Sequence, residues 1–442
     1  MHIAAKPIRI AIAGGNFAGL SAVKSLYTHL LATPDYDGTS QAAANPSIDI
    51  TLIDRKDGFL HYLGMTRGLT QPAYGNSLWL PYASMPWLSH PSITVRHNII
   101  SRICPSHIEL ADSPDPVEFD YLLVALGQSR RAPIGSAACT QEAHLRDIAK
   151  YHGEIEAAKS IVVVGGGAVG TELAADLKTD FADKHVTLVH SRELPVPGPF
   201  SDVFRRHVVD ELEKLGVDLV LSERVVSQNA SAQSGADADA AAKHKYADIL
   251  PELVDTVGRN VVLTTDAGRT LHADLVFNTL GASTRAPLIA LPESAGHPSL
   301  FAADGLRVNA ALQLDDPLYP HIFAAGDVAS RDKVKLAGAA AGAGRAAGAN
   351  IARLVAARLK GLDAPPLDEA KKRGPGAKGP KGGPPSEFGH IKLVLGEHSA
   401  VIQQGDNVIP PEVAKTMCKP DIKLGKATKS MFIGSFPVDK RP

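Results

Sequence analysis

Ile8-Arg9-Ile10-Ala11-Ile12-Ala13 runs straight into Gly14-Gly15-Asn16-Phe17-Ala18-Gly19, and Ser160-Ile161-Val162-Val163-Val164 runs into Gly165-Gly166-Gly167-Ala168-Val169-Gly170. Short continuous apolar runs of this kind suit strands buried on both faces of a parallel sheet. Each turn is followed by a helix-like stretch, the first through about Leu31 and the second through about Phe181. Two such strand-turn-helix units in one chain predict an α/β fold with two doubly wound Rossmann-like domains. A small α+β segment is expected after them.

A Gly-rich turn between strand and helix aims backbone N–H groups and the helix dipole at a pyrophosphate. In the first turn Gly14 and Gly19 hold the outer places, Gly15 and Ala18 keep it small, and Asn16 stands where the middle glycine is usual. Asn tolerates unusual backbone angles best after Gly. The next strand, 48–53, ends at Asp54, a carboxylate placed to accept from ribose hydroxyls. A loop over 33–47 explains its late position. The second turn has all three glycines, Gly165, Gly167 and Gly170. Here His190 takes the place of the ribose-binding acid, with Ser191 and Arg192 behind it. No carboxylate repels a 2′-phosphate there and Arg192 can pair with one, so NADPH is accommodated as well as NADH. The alternative makes Arg192 a solvated loop residue. Glu172 has two readings: a carboxylate favoured at a helix N-terminus, or a group near a nicotinamide ring.

The 442 residues suffice for two or three domains with real cores. Net charge is −1, which gives no argument for nucleic acid as a partner. The three cysteines, Cys104, Cys139 and Cys418, lie far apart and form no C-x-x-C pair, which excludes a redox-active dithiol of the thioredoxin-reductase type. No metal site is expected. No apolar run reaches the roughly 18 residues a spanning helix needs. No signal peptide is expected, and His2 after the initiator Met1 denies the glycine that N-myristoylation needs. The expected location is cytoplasmic. Residues 229–247 read as an Ala/Asp/Ser-rich insertion, and 371–385 as a basic low-complexity linker. Strand-like pieces follow at 390–395 and 400–403. The last stretch, from Lys415, carries six Lys and one Arg against two Asp. This basic tail is a candidate for peripheral contact with an anionic membrane, with a plain solubilising tail as the alternative.

Three further runs complete the pattern. Phe119-Asp120-Tyr121-Leu122-Leu123-Val124-Ala125-Leu126-Gly127 and Ala273-Asp274-Leu275-Val276-Phe277-Asn278-Thr279-Leu280-Gly281 are apolar strands ending in glycine. Ile322-Phe323-Ala324-Ala325-Gly326-Asp327 leads to an Ala/Gly-rich helix expected over about 336–359, whose small residues let it lie close to a cofactor or sheet. The order of these motifs over roughly residues 8–360 resembles the two-dinucleotide flavoproteins. Within them the chain is similar to the apoptosis-inducing-factor-like branch, which includes the ferroptosis-suppressor NAD(P)H:quinone reductases. The resemblance is carried by Asp54-Arg55-Lys56-Asp57-Gly58-Phe59 with Arg67 downstream, by Gly165–Glu172, by His190-Ser191, by Leu221-Ser222-Glu223-Arg224-Val225, and by Lys335 ahead of Ala349-Asn350-Ile351. Asn16 and Leu126 depart from the family's Gly and Thr.

The resemblance implies FAD and NADPH or NADH as cofactors. Arg55, Lys56, Arg67, Gly127, Gly281 and Gly326 are expected to contribute to cofactor binding. Asp327 is expected to hold the FAD ribityl chain, and Glu172 and Lys335 to lie by the flavin and nicotinamide as the catalytic pair. The implied division is an FAD-binding domain over 1–145 and 286–365, an NAD(P)H-binding domain over 146–285, a basic linker over 366–386 and a C-terminal segment over 387–442. With no cysteine pair, electrons must leave for a diffusible acceptor, and the family points to a quinone. A homodimer is a candidate assembly. Two other readings stay open on the same scaffold: a redox-sensing signalling protein of the apoptosis-inducing type, and a biosynthetic flavin oxidoreductase acting on a small organic substrate.

Overall fold

The computed structural model describes residues 6–32, 47–230, 257–282, 288–332, 334–371, 386–418, 422 and 424–425. The loop over 33–47 and the basic low-complexity stretch over 371–385 fall almost wholly outside these residues, as does most of the Ala/Asp/Ser-rich insertion. Its first two residues, Asn229 and Ala230, close the strand Val225–Ala230.

The first Gly-rich turn belongs to a five-stranded parallel sheet, ordered Ile322–Ala324, Tyr121–Val124, Ile8–Ala13, Ile48–Asp54, Ile93–His97. The first strand shows why the run is apolar throughout. Ile8, Ile10 and Ile12 enter the core on one face, while Ala11 and Ala13 enter the core on the other. Its outermost member, Ile322–Ala324, comes from more than 300 residues downstream of Ile8, so the chain leaves this sheet, builds another, and returns. The second turn belongs to a six-stranded mixed sheet. Ser160–Val164 lies parallel between His185–His190 and Thr270–Asn278, and Asp218–Leu221 extends the parallel edge. Gly258–Thr265 and Val225–Ala230 add an antiparallel edge. Ile161 and Val163 face one core cluster and Val162 and Val164 another.

The helix after the first turn is α-helical over Phe17–Leu26 and finishes as a π-turn at Tyr27–Leu31. The second cradle helix is Ala168–Asp180. The Ala/Gly-rich helix runs Ala337–Leu359 and packs principally on the first cradle helix. Glycine is required there, because a Cβ on Gly344 would sit 2.0 Å from the Ala18 carbonyl oxygen and one on Gly348 2.6 Å from that of Ala22. The C-terminal segment forms three antiparallel strands, His390–Leu395, Ser399–Gln404 and Asn407–Ile409. Leu393, Leu395 and Val401 bury themselves with Leu177, Phe204 and Val208 of the second half. Among the described residues no helix is long and apolar enough to cross a membrane.

Candidate cofactor site

Both turns close by the same device. Gly14 and Gly165 adopt φ of +104° and +112°, where L side chains are strained. A Cβ on Gly19 would lie 1.7 Å from the Gly14 oxygen, and one on Gly170 1.9 Å from the Gly165 oxygen. Helix and strand can therefore approach this closely only with glycine at those places.

The two turns differ at the helix start. Gly167 occupies the N-cap of Ala168–Asp180 with no side-chain hydrogen bond, so the first amides of that helix point outward without a capping oxygen. Asn16 caps its own helix: Oδ1 accepts from Phe17 N at 2.8 Å and Nδ2 donates to the Leu60 oxygen at 2.9 Å. The residue that breaks the glycine pattern is thus both a cap and a tie to the strand Gly58–Leu60.

Asp54 lies against the first turn. One carboxylate oxygen accepts from Gly15 N and the other from Lys56 N at 2.8 Å, which fixes its plane and leaves lone pairs for a ribose hydroxyl. Tyr82 completes this corner. Its buried hydroxyl donates to the Gly15 oxygen at 2.7 Å, and burial next to Asp54 pushes the phenol well above its ordinary value. Tyr82 sits in a short 3₁₀ turn and carries no local sequence signal, so a sequence reading misses it.

His190 ends the strand after the second turn. Its Nδ1 accepts from Gly166 N at 3.2 Å. Its Nε2 is buried with no hydrogen-bond partner among the described residues, and burial lowers the imidazole below its ordinary value. An orphaned buried nitrogen at this place fits a ligand oxygen that completes it. Arg192 is exposed beyond it.

The remaining expected residues have structural partners of their own. Arg55 Nη2 donates to the Ser136 oxygen at 2.8 Å and Nη1 to the Ala137 oxygen at 3.1 Å; Lys56 Nζ donates to the Ala138 oxygen at 2.7 Å. These two cations position the loop over 136–139. Arg67 is buried away from solvent against Asp176, which gives it a packing role within the interior. Gly127, Gly281 and Gly326 all take positive φ, and a Cβ on Gly326 would meet that of Ala18 at 3.0 Å. Burial raises the Asp327 carboxyl, while the charges of Arg130 and Lys335 pull it down. Lys335 Nζ donates to the Ala329 oxygen at 2.7 Å and lies 3.7 Å from Asp304. Glu172 is half-buried and accepts from Val394 N at 3.3 Å. Burial pushes its carboxyl up to about 8. No hydrogen bond or ion pair joins Glu172 to Lys335 among the described residues.

Two sheets, each ending one strand in a glycine turn that opens a helix, define a protein that binds two dinucleotides. The chain belongs to the pyridine nucleotide-disulphide oxidoreductase family, whose model matches residues 8–344. It is an NAD(P)H-dependent flavoprotein oxidoreductase of the apoptosis-inducing-factor-like kind, with FAD and a pyridine nucleotide as cofactors. It is 28% identical over 366 residues to Oxidoreductase OXR1 of Ajellomyces capsulatus, covering 78% of this chain and 73% of that one. It is 26% identical to Ferroptosis suppressor protein 1 of Mus musculus, covering 75% and 76%. The water-forming NADH oxidase of Lactobacillus brevis, solved bound to NADH, superposes with a TM-score of 0.60 at 18% identity, over 89% of this chain and 74% of that one. At that identity the likeness shows the fold alone.

Proposed function

We propose that the protein oxidises NAD(P)H and passes the electrons to a diffusible acceptor, a quinone. The observation that carries this reading is the placement of its thiols. Cys104 lies in the turn between the strands Ile100–Ile103 and His107–Leu110, Cys139 beside Arg55, and Cys418 beyond the C-terminal strands, all three free. The family's internal disulphide acceptor therefore has no counterpart, and the acceptor must come from solution or a membrane. Similarity to the ferroptosis-suppressor reductases supports a quinone.

When bound, FAD supplies the two-electron chemistry that links a hydride donor to such an acceptor. The chain's residues hold and bias it. The turn at Gly14–Gly19 and the open helix start at Gly167 take the two pyrophosphates. Asp54 takes the adenosine ribose of FAD. His190 Nε2 completes its hydrogen bonding on the nicotinamide cofactor's ribose, with Arg192 available for a 2′-phosphate. Asp327 accepts from the ribityl chain. Lys335 places a positive charge at the strand end that carries Asp327 and stabilises negative charge developing there. Glu172, whose carboxyl holds its proton at neutral pH, is able to donate as well as accept a hydrogen bond near the nicotinamide.

The test is to purify the protein, record its flavin spectrum, and compare NADH with NADPH oxidation with and without a short-chain quinone. Quinone-dependent turnover that falls in Lys335→Met and Glu172→Ala while flavin content is kept is the expected result. A colourless protein that takes up no FAD, or one whose NAD(P)H oxidation ignores quinone, overturns the reading. Turnover with one small organic substrate alone would favour a biosynthetic oxidoreductase.

A further inference from the structure

Outside both cradles, three strands, Ile100–Ile103, His107–Leu110 and Ser113–Glu118, form a small antiparallel sheet. The first two are joined by the tight turn Cys104-Pro105-Ser106-His107, closed by Cys104 N donating to the His107 oxygen at 2.9 Å. Pairing of Ile103 with Ile108 and of Arg102 with Glu109 sets Cys104 opposite His107. Glu109 follows His107 by two residues, so strand alternation returns it to the same face. Register and alternation together gather a thiol, an imidazole and a carboxylate at one end of the hairpin. Ile100, Ile103, Ile108 and Leu110 meanwhile face the core and hold the backbone in place.

The distances are those of a partly assembled coordination shell. Cys104 Sγ is 3.7 Å from Glu109 Oε1, and His107 Nε2 is 3.8 Å from the same oxygen. The three ligand atoms all lie within 4.8 Å of one another. Zinc bonds of about 2.0–2.3 Å at tetrahedral angles set ligand atoms about 3.3–3.7 Å apart. The Cys104–Glu109 pair meets that spacing and the His107–Glu109 pair, at 3.8 Å, lies just beyond it, so small rotamer changes close the set. His107 Nδ1 faces Ser106 Oγ at 3.5 Å, which leaves Nε2 for a metal and provides an outer partner for the ring. Cys104 is 8% exposed, whereas His107 and Glu109 are open enough to admit an ion and a water.

We propose that Cys104, His107 and Glu109 bind one zinc-class divalent cation, with water in the fourth position, and that the ion staples this hairpin. A thiolate, an imidazole and a carboxylate together suit zinc better than magnesium or calcium, which prefer oxygen ligands alone. A free cysteine thiol carries its proton near neutral pH. Binding therefore forms a metal–sulfur bond and releases that proton to solvent, with no change of oxidation state. The sequence reading passes over the site because the ligands sit around a turn and lack C-x-x-C spacing.

The experiment is titration of the FAD-loaded protein with Co²⁺, read in the long-wavelength d–d bands beyond the flavin's absorption, and with Zn²⁺ by equilibrium dialysis. One ion per chain, with tetrahedral cobalt bands that vanish in Cys104→Ser and persist in Cys139→Ser and Cys418→Ser, is the expected result. Outer-sphere changes alone cost about 10–100-fold in affinity, so His107→Ala and Glu109→Gln should lose at least tenfold. An unchanged flavin spectrum in each variant shows that it has folded. Absence of cobalt–thiolate bands, or binding unaltered by Cys104→Ser, overturns the proposal.

Discussion

Arg67 Nη2 lies 3.1 Å from Asp176 Oδ1, with both side chains at most 2% exposed, so a single ion pair joins the helix Met65–Thr70 to the second cradle helix. The same nitrogen donates to the Gly396 oxygen at 2.6 Å, which ties in the C-terminal strands. Burial pushes the Asp176 carboxyl up to about 6, and Arg67 pulls the other way. Removing one partner of a buried pair costs about 3–5 kcal/mol, whereas replacing both with apolar residues is often neutral. Arg67→Met is therefore expected to lose several kcal/mol in urea unfolding, and Arg67→Met/Asp176→Leu to recover most of it. Recovery would assign the pair to registering three segments rather than to net stability.

Glu172 makes stability depend on pH in an unusual direction. Its ordinary value is 4.5 and its folded value about 8. Between these the folded protein keeps a proton that the unfolded chain has released. The contribution is thus full below about pH 4.5 and is lost as pH rises through about 8. Asp176 acts in the same sense over a lower window. Wild-type unfolding free energy should fall from pH 6 to pH 8.5 more steeply than that of Glu172→Gln, which cannot ionise. Equal slopes in parallel urea titrations would mean that Glu172 is solvated.

Both glycine turns were legible in the sequence because a strand, a turn and a helix are local patterns, and close approach leaves glycine as their signature. Asp54 and His190 were legible because they fall at strand ends. The partners of Arg55, Lys56 and Arg67 were not. Arg67 meets Asp176 across 109 residues and Arg55 meets the Ser136 oxygen across 81, and no periodicity encodes such pairings. The small residues of the Ala/Gly-rich helix mark it as a close-packing element, but which surface it meets depends on chain topology. It meets the first cradle helix at Ala18 and Ala22.

The two cradles should be separable by one methyl group each. A Cβ on Gly19 or Gly170 collides with a backbone oxygen at 1.7 or 1.9 Å, which only a shift of helix from strand relieves. Overpacking of this kind costs about 1–3 kcal/mol. Gly19→Ala is expected to purify with reduced flavin. Gly170→Ala is expected to keep its flavin while NAD(P)H binding, read by fluorescence titration, weakens at least tenfold. The reverse pattern would exchange the assignments of the two turns.

Asn16→Gly restores the usual glycine pattern and tests whether Asn16 serves the helix or the cofactor. Loss of an Asn cap to Gly costs only a few tenths of a kcal/mol. Loss of the bond to the Leu60 oxygen adds about 1 kcal/mol. Stability should therefore drop by roughly 1–1.5 kcal/mol. FAD affinity should hold or improve, because Phe17 N–H is released from the Asn16 oxygen to face a phosphate. A loss of FAD affinity would instead make Asn16 itself a ligand of the cofactor.

Discrimination between NADPH and NADH should rest on Arg192. Its backbone is held, since its carbonyl accepts from Ser222 N at 3.1 Å and Arg205 anchors the following residues through the Leu194 and Pro195 oxygens. Its side chain is exposed, one residue beyond Ser191 and two beyond His190. A fixed backbone with an exposed guanidinium suits pairing with a 2′-phosphate and gives nothing extra to a 2′-hydroxyl. A charge-assisted hydrogen bond of about 1.5–3 kcal/mol corresponds to roughly 10–150-fold in affinity. Arg192→Ala should weaken NADPH binding by about that factor, with NADH changed less than twofold. If both cofactors bind Arg192→Ala as they bind the wild type, Arg192 is a solvated loop residue. His190, whose buried Nε2 would meet a hydroxyl or a phosphate oxygen alike, would then leave the two cofactors undistinguished.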